Sequence, residues 1–106
     1  MNTSATGLRV LVTAGASGIG RSIALTFAAA GARVFICDVD AGAVRAFRDE
    51  APDIGSCIAD VAEPTDVATM FLEATKYLSG LDVLVNNAGI SGPTSKVLIS
   101  NDPQPA

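Results

Sequence analysis

The chain contains no histidine and no tryptophan, one tyrosine and two cysteines in 106 residues. Without histidine the commonest general base is missing, and so is every Ser-His or Cys-His nucleophile pair. Cys37 and Cys57 form no Cys-x-x-Cys motif, and zinc sites draw on clustered cysteine and histidine, so no metal centre is expected. Each thiol sits in an apolar strand-like run and reads as a small buried side chain. Positive charge is also scarce. Seven Lys+Arg against eleven Asp+Glu give a net charge of −4, which leaves no basic footprint for a nucleic-acid backbone. No apolar run approaches the roughly 18 residues of a membrane span. The amino end has no basic segment followed by an apolar one, so no secretory signal and a cytoplasmic location are expected.

What remains is an ordinary globular composition, 49% hydrophobic and 17% charged, enough for one domain with one core and too apolar for a disordered chain. Strand-like runs and helix-like periodicities alternate. Leu8–Thr13 is a β-branched apolar run ending at a glycine cluster. Ile19, Ile23, Phe27 and Ala30 recur at helical spacing, and Gly31 stops that helix. Arg33–Cys37 predicts a second strand, closed by Asp38, and Ala41–Glu50 a second helix, limited by Pro52. Gly55–Ala59 predicts a third strand, followed by Asp60. Pro64 opens a helix with Val67, Met70, Phe71, Ala74 and Leu78 on one face. Leu81–Val85 is the fourth strand and runs into Asn86-Asn87-Ala88-Gly89. Strands alternating with helices in this way predict an α/β fold with a parallel sheet and helices on both faces. We expect residues 1–92 to form one folded unit and 93–106 an irregular tail.

The chemistry concentrates in the first strand–helix turn, Thr13-Ala14-Gly15-Ala16-Ser17-Gly18-Ile19-Gly20. Glycines there let the backbone approach a pyrophosphate, and the helix that follows adds the positive end of its dipole. The plainer alternative is a tight turn in which Gly18 and Gly20 serve only helix–strand packing. Asp38 ends the second strand, where a nucleotide-binding unit places an acid for ribose hydroxyls. It could instead cap the next helix, a task Asp40 would do equally well.

These residues together resemble the short-chain dehydrogenase/reductase family over residues 8–92. Thr13 to Gly20 matches its Thr-Gly-x-x-x-Gly-x-Gly turn, with Ala14 in place of the first glycine and Gly15 behind it. The resemblance implies a Rossmann-type sheet with strand order 3-2-1-4 and an NAD(P) cofactor held by Gly15, Ser17, Gly18, Ile19 and Gly20. It also implies that Asp60-Val61 contacts adenine, and that the Asn-Asn-Ala-Gly segment, Asn87 included, supports the sheet near the nicotinamide ribose. Members of the family act through a Tyr-x-x-x-Lys pair and a serine. Here the residue four places after Tyr77 is Leu81 and the residue four places before Lys96 is Gly92. No catalytic residue is therefore assigned, and the chain is expected to be a truncated, inactive or partner-dependent form. NAD is expected over NADP, because a carboxylate at Asp38 repels a 2′-phosphate and Ser17 stands where NADP users often carry a basic residue. Two rivals are a non-enzymatic NAD-binding module and a P-loop protein, since Gly15 to Ser22 reads Gly-x-x-x-x-Gly-Arg-Ser. Arginine is a poor substitute for the P-loop lysine. With the fourth strand at a bare edge, a complementing segment or a homo-oligomer is the expected partner.

Overall fold

The first two strands, β1 (Arg9–Thr13) and β2 (Arg33–Asp38), are almost wholly buried. Their apolar runs suit central parallel strands covered on both faces. In the computed structural model, which describes residues 4–87 and 96–99, they pair in parallel from Arg9↔Arg33 to Thr13↔Cys37. The remaining elements are α1 (Gly18–Ala29), α2 (Ala41–Glu50), β3 (Gly55–Ile58), α3 (Pro64–Leu78), β4 (Val83–Asn86) and β5 (Lys96–Ile99). The sheet order is β3-β2-β1-β4-β5, with the first four strands parallel.

Alternation along the strands splits the core in two. Val10, Val12, Val34, Ile36, Val83 and Val85 face α1 and α2 with Val44 and Phe47. Leu11, Phe35, Cys37 and Cys57 face the other way, onto Met70, Ala74 and Leu78 of α3. The apolar positions expected on α3 and the burial of both cysteines hold. Of the stripe expected on α1, Ile23 and Phe27 pack against the core, and Ile19 does not. Gly20 and Ala24 are its buried positions, whereas Ile19 is 58% exposed. A helix that starts at the glycine turn lies too close to the sheet for a large side chain at its inner face.

The tail requires a correction. Within 93–106, expected to be irregular, Lys96–Ile99 forms a strand antiparallel to β4, pairing from Val83↔Ile99 to Asn86↔Lys96. β4 is therefore flanked on both sides, and the bare edge expected there is absent. The physical basis is in the sequence: Val97-Leu98-Ile99 is a strand-forming apolar triplet, too short to stand out without a partner strand. Among the described residues, no helix is long and apolar enough to cross a membrane.

Candidate cofactor site

The carboxyl ends of β1, β2, β3 and β4 gather on one side of the sheet, with β1 and β4 adjacent where the winding reverses. In open α/β sheets that crevice is where ligands bind. The glycine turn rises from the end of β1. Ala14 (φ +51°) and Gly18 (φ +59°) both take left-handed backbone, which folds the chain back sharply enough to begin α1 directly above the strand. Ser17 is the N-cap, with extended backbone at φ −153° and ψ 168°, yet its hydroxyl makes no capping bond and no acid lies in the first turn. The first-turn N–H groups, at Gly18, Ile19 and Gly20, thus have no side-chain acceptor. α2 differs: Asp40 accepts from the N–H of Ala43 at 3.1 Å.

That capping bond gives the cap of α2 to Asp40 and not to Asp38. Asp38 is 8% exposed. Its carboxylate accepts from the Ala16 N–H at 3.2 Å and the Asp40 N–H at 3.1 Å. One carboxylate thereby ties the glycine turn to the end of β2, held in one orientation. Gly15 adds a second tie, donating to the Cys37 carbonyl at 3.0 Å. A cavity of about 140 Å³ opens between the ends of β2 and β3, lined by Ala14, Cys37, Asp38, Val39, Ala59, Asp60 and Val61. Asp60 turns its carboxylate back on the Ala62 N–H at 2.9 Å, which steadies the wall of that cavity. A larger concavity of about 980 Å³ runs along the outer flank of α1, past Ile19, Ile23 and Phe27. It is open and apolar, with few of the converging polar groups that orient a ligand.

Asn87 closes the site on the β4 side. Its backbone N–H donates to the Thr13 hydroxyl at 2.9 Å and its side-chain amide reaches the Ala14 carbonyl at 3.5 Å. Thr13, only 3% exposed, also contacts Asn86 Oδ1 at 3.3 Å. The sequence marks Thr13 and Ala14 only as members of the glycine motif, and both prove to be partners of Asn87. The proposed site residues Gly15, Ser17, Gly18, Ile19, Gly20, Asp38, Asp60, Val61 and Asn87 all lie at this one end of the sheet. Ala88 and Gly89 lie outside the described residues.

Two further residues fall elsewhere. Arg21, the cation a P-loop reading would need, forms an ion pair with Glu50 of α2. Tyr77 packs on Phe35 with ring centroids 5.7 Å apart and donates to the Asp53 carbonyl at 2.8 Å. That places it beside the start of β3, at the opposite end of that strand from the site.

A family model described as short chain dehydrogenase matches residues 8–102. The chain belongs to the short chain dehydrogenase family. An L-fucose dehydrogenase of Bos taurus is 40% identical over 93 residues, 88% of this chain and 34% of that protein. A 7alpha-hydroxysteroid dehydrogenase of Escherichia coli K12 is 37% identical over 87 residues, covering 78% of this chain and 34% of the relative. Among solved structures, an apo SCOR enzyme from Clostridium thermocellum matches with a TM-score of 0.75 and 36% identity, over 82% of this chain and 36% of that one. The chain thus spans about a third of the length of these curated relatives. Membership in a family of oxidoreductases implies a nicotinamide dinucleotide, and the uncapped helix start, the glycine turn and the anchored carboxylate fit one.

Proposed function

We propose that this chain is the dinucleotide-holding part of a short chain dehydrogenase that acts on an alcohol or carbonyl, and that it holds NAD in preference to NADP. The observation that carries this reading is the position of Asp38, fixed by the Ala16 and Asp40 N–H groups next to the uncapped start of α1. A pyrophosphate suits the first-turn N–H groups of Gly18, Ile19 and Gly20, and the Ser17 hydroxyl is free to join them. Asp38 suits the ribose hydroxyls, and Asp60 and Val61 line the cavity that suits the base. Asn87 holds the end of β4 against the turn. The dinucleotide, when bound, supplies hydride transfer; these residues bind and orient it. The relatives' names speak of a sugar and of hydroxysteroids, which supports a hydroxyl substrate class and no particular member of it.

Because no Tyr-x-x-x-Lys occurs in the sequence, we propose that the chain by itself binds cofactor without turning substrate over. Any catalysis would then require further residues from outside this chain. The test is calorimetric titration with NAD and NADP, followed by Asp38→Asn. NAD should bind more tightly than NADP, and the variant should lose about 1–3 kcal/mol of that discrimination. Equal affinities in the unaltered chain would remove the assignment. A panel of alcohols with NAD, followed by cofactor absorbance, should show no turnover. Activity that survives Tyr77→Phe would overturn the binding-only reading.

A further inference from the structure

Cys37 and Cys57 are Cα partners in the parallel ladder between β2 and β3, on the face covered by α3. Neighbouring strands lie about 4.8 Å apart, inside the roughly 4.4–6.8 Å Cα separation that a disulfide tolerates. Both thiols are free. The Met70 thioether lies 3.0 Å from the Cys37 sulfur and is itself 2% exposed, so the space beneath the pair is filled by a soft, adaptable side chain rather than by a polar group. β3 has one neighbour, β2, and ends the sheet, which leaves Cys57 on the strand most able to shift. Cys37 also lines the 140 Å³ cavity at the carboxyl ends of β2 and β3.

From this juxtaposition we infer that Cys37 and Cys57 form a reversible cross-strand disulfide, a redox modification site beneath the cavity. Closure locks β3 to β2 and repositions Cys37 in the cavity wall. Its effect on nucleotide binding rests on the proposed function, whereas the bond itself does not. The oxidant is a small disulfide such as oxidised glutathione. Local opening of the edge strand β3 uncovers the Cys57 thiol, only 6% exposed in the closed chain, and its thiolate attacks one glutathione sulfur. That S–S bond breaks and one glutathione thiolate leaves. The Cys37 thiolate then attacks the Cys57 sulfur, the protein disulfide forms, and the second glutathione departs. Two protein thiols lose two electrons and two protons, and one glutathione disulfide becomes two thiols.

The reaction is slow at neutral pH. Burial, aided by the charge of Asp38, pushes the Cys37 thiol up to about 11 against an opposing bond at Ala14. Burial, with Cys37 and Glu73 nearby, pushes Cys57 to about 12, and Arg48 opposes. Thiolate, the attacking form, therefore increases with pH.

The experiment uses the intact chain with oxidised glutathione at pH 8.5, with circular dichroism to confirm that it stays folded. Expected are loss of both titratable thiols, a mass lower by two hydrogens, no covalent dimer, and recovery with dithiothreitol. NAD affinity should fall about five-fold or more on oxidation. Cys57→Ser should give no loss of two hydrogens, while keeping the fold. Two thiols that remain free in the folded chain, or only glutathione adducts or dimers, would overturn the disulfide. A disulfide that leaves NAD affinity unchanged would overturn the coupling to the cavity. Failure of the reduced chain to bind NAD would instead strike the proposed function and leave the disulfide standing.

Discussion

At Ala14 the backbone sits at φ +51°, a left-handed conformation that costs a residue with a Cβ about 1–2 kcal/mol. The family motif has glycine there. Ala14→Gly should therefore stabilise the chain, but by less than the full strain, because glycine loses about 0.5–1 kcal/mol more in ordering. The expected gain is up to about 1 kcal/mol in denaturant unfolding. Gly20 presents the opposite case. A Cβ there would stand 2.0 Å from the Ala14 carbonyl oxygen, a backbone atom that cannot swing aside. Gly20→Ala should destabilise by about 1–3 kcal/mol and distort the turn, so that NAD binding drops together with the unfolding midpoint. Loss of binding at unchanged stability would mean that the close approach is less tight than described.

Among the elements, β1 and β4 are joined at both ends by side chains as well as by the ladder. At the carboxyl ends the Thr13 hydroxyl and the Asn87 N–H make the link. At the other end Arg9 grips Asp82 with two parallel bonds of 2.9 Å, from Nε to Oδ2 and from Nη2 to Oδ1. The Arg9 backbone N–H donates to the same carboxylate at 3.0 Å, and Arg9 Nη1 reaches the Ser79 carbonyl at 2.6 Å, holding the end of α3 as well. Bonding to the Arg9 guanidinium holds the Asp82 carboxyl below its ordinary 3.8. A depressed carboxyl stabilises the fold above the unfolded pKa, and that contribution disappears as pH falls through the folded value. Asp82→Asn should thus be less stable than the parent at pH 7, and the gap should narrow on acidification below 3.8. Parallel stability curves across that range, followed by urea unfolding at several pH values, would remove the ion pair from the account.

For the molecule as a whole, the antiparallel β5 changes what the sheet needs from a partner. β4 lies between β1 and β5, so its peptide groups are satisfied on both sides within this chain. Amides of residues 83–86 should exchange slowly in the isolated chain, and sedimentation should show no association through that strand. Replacing residues 96–99 with a glycine–serine run should uncover the edge, speed exchange there and raise self-association. Rapid exchange across β4 in the unaltered chain would show that β5 does not hold its place in solution.

The sequence by itself determined the local and the repeated features: which runs become strands, which become helices, and where the glycine turn lies. Periodicity of burial and the stop signals at Gly31 and Pro52 are properties of neighbouring residues, so they are legible without a fold. The family motif added the strand order, because its spacing is tied to one winding of the chain. Tertiary structure decided what depends on residues distant in sequence. Ile19 faces outward because the start of α1 comes too close to the sheet. Asp38 ties the glycine turn to β2 because the Ala16 N–H reaches its carboxylate, while Asp40 takes the cap of α2. Thr13 meets Asn87 only because β1 and β4 are neighbours. Cys37 and Cys57 become a pair only through the register of β2 and β3. β5 is a strand because β4 offers it a row of peptide groups, and no local propensity of four residues could have announced that edge.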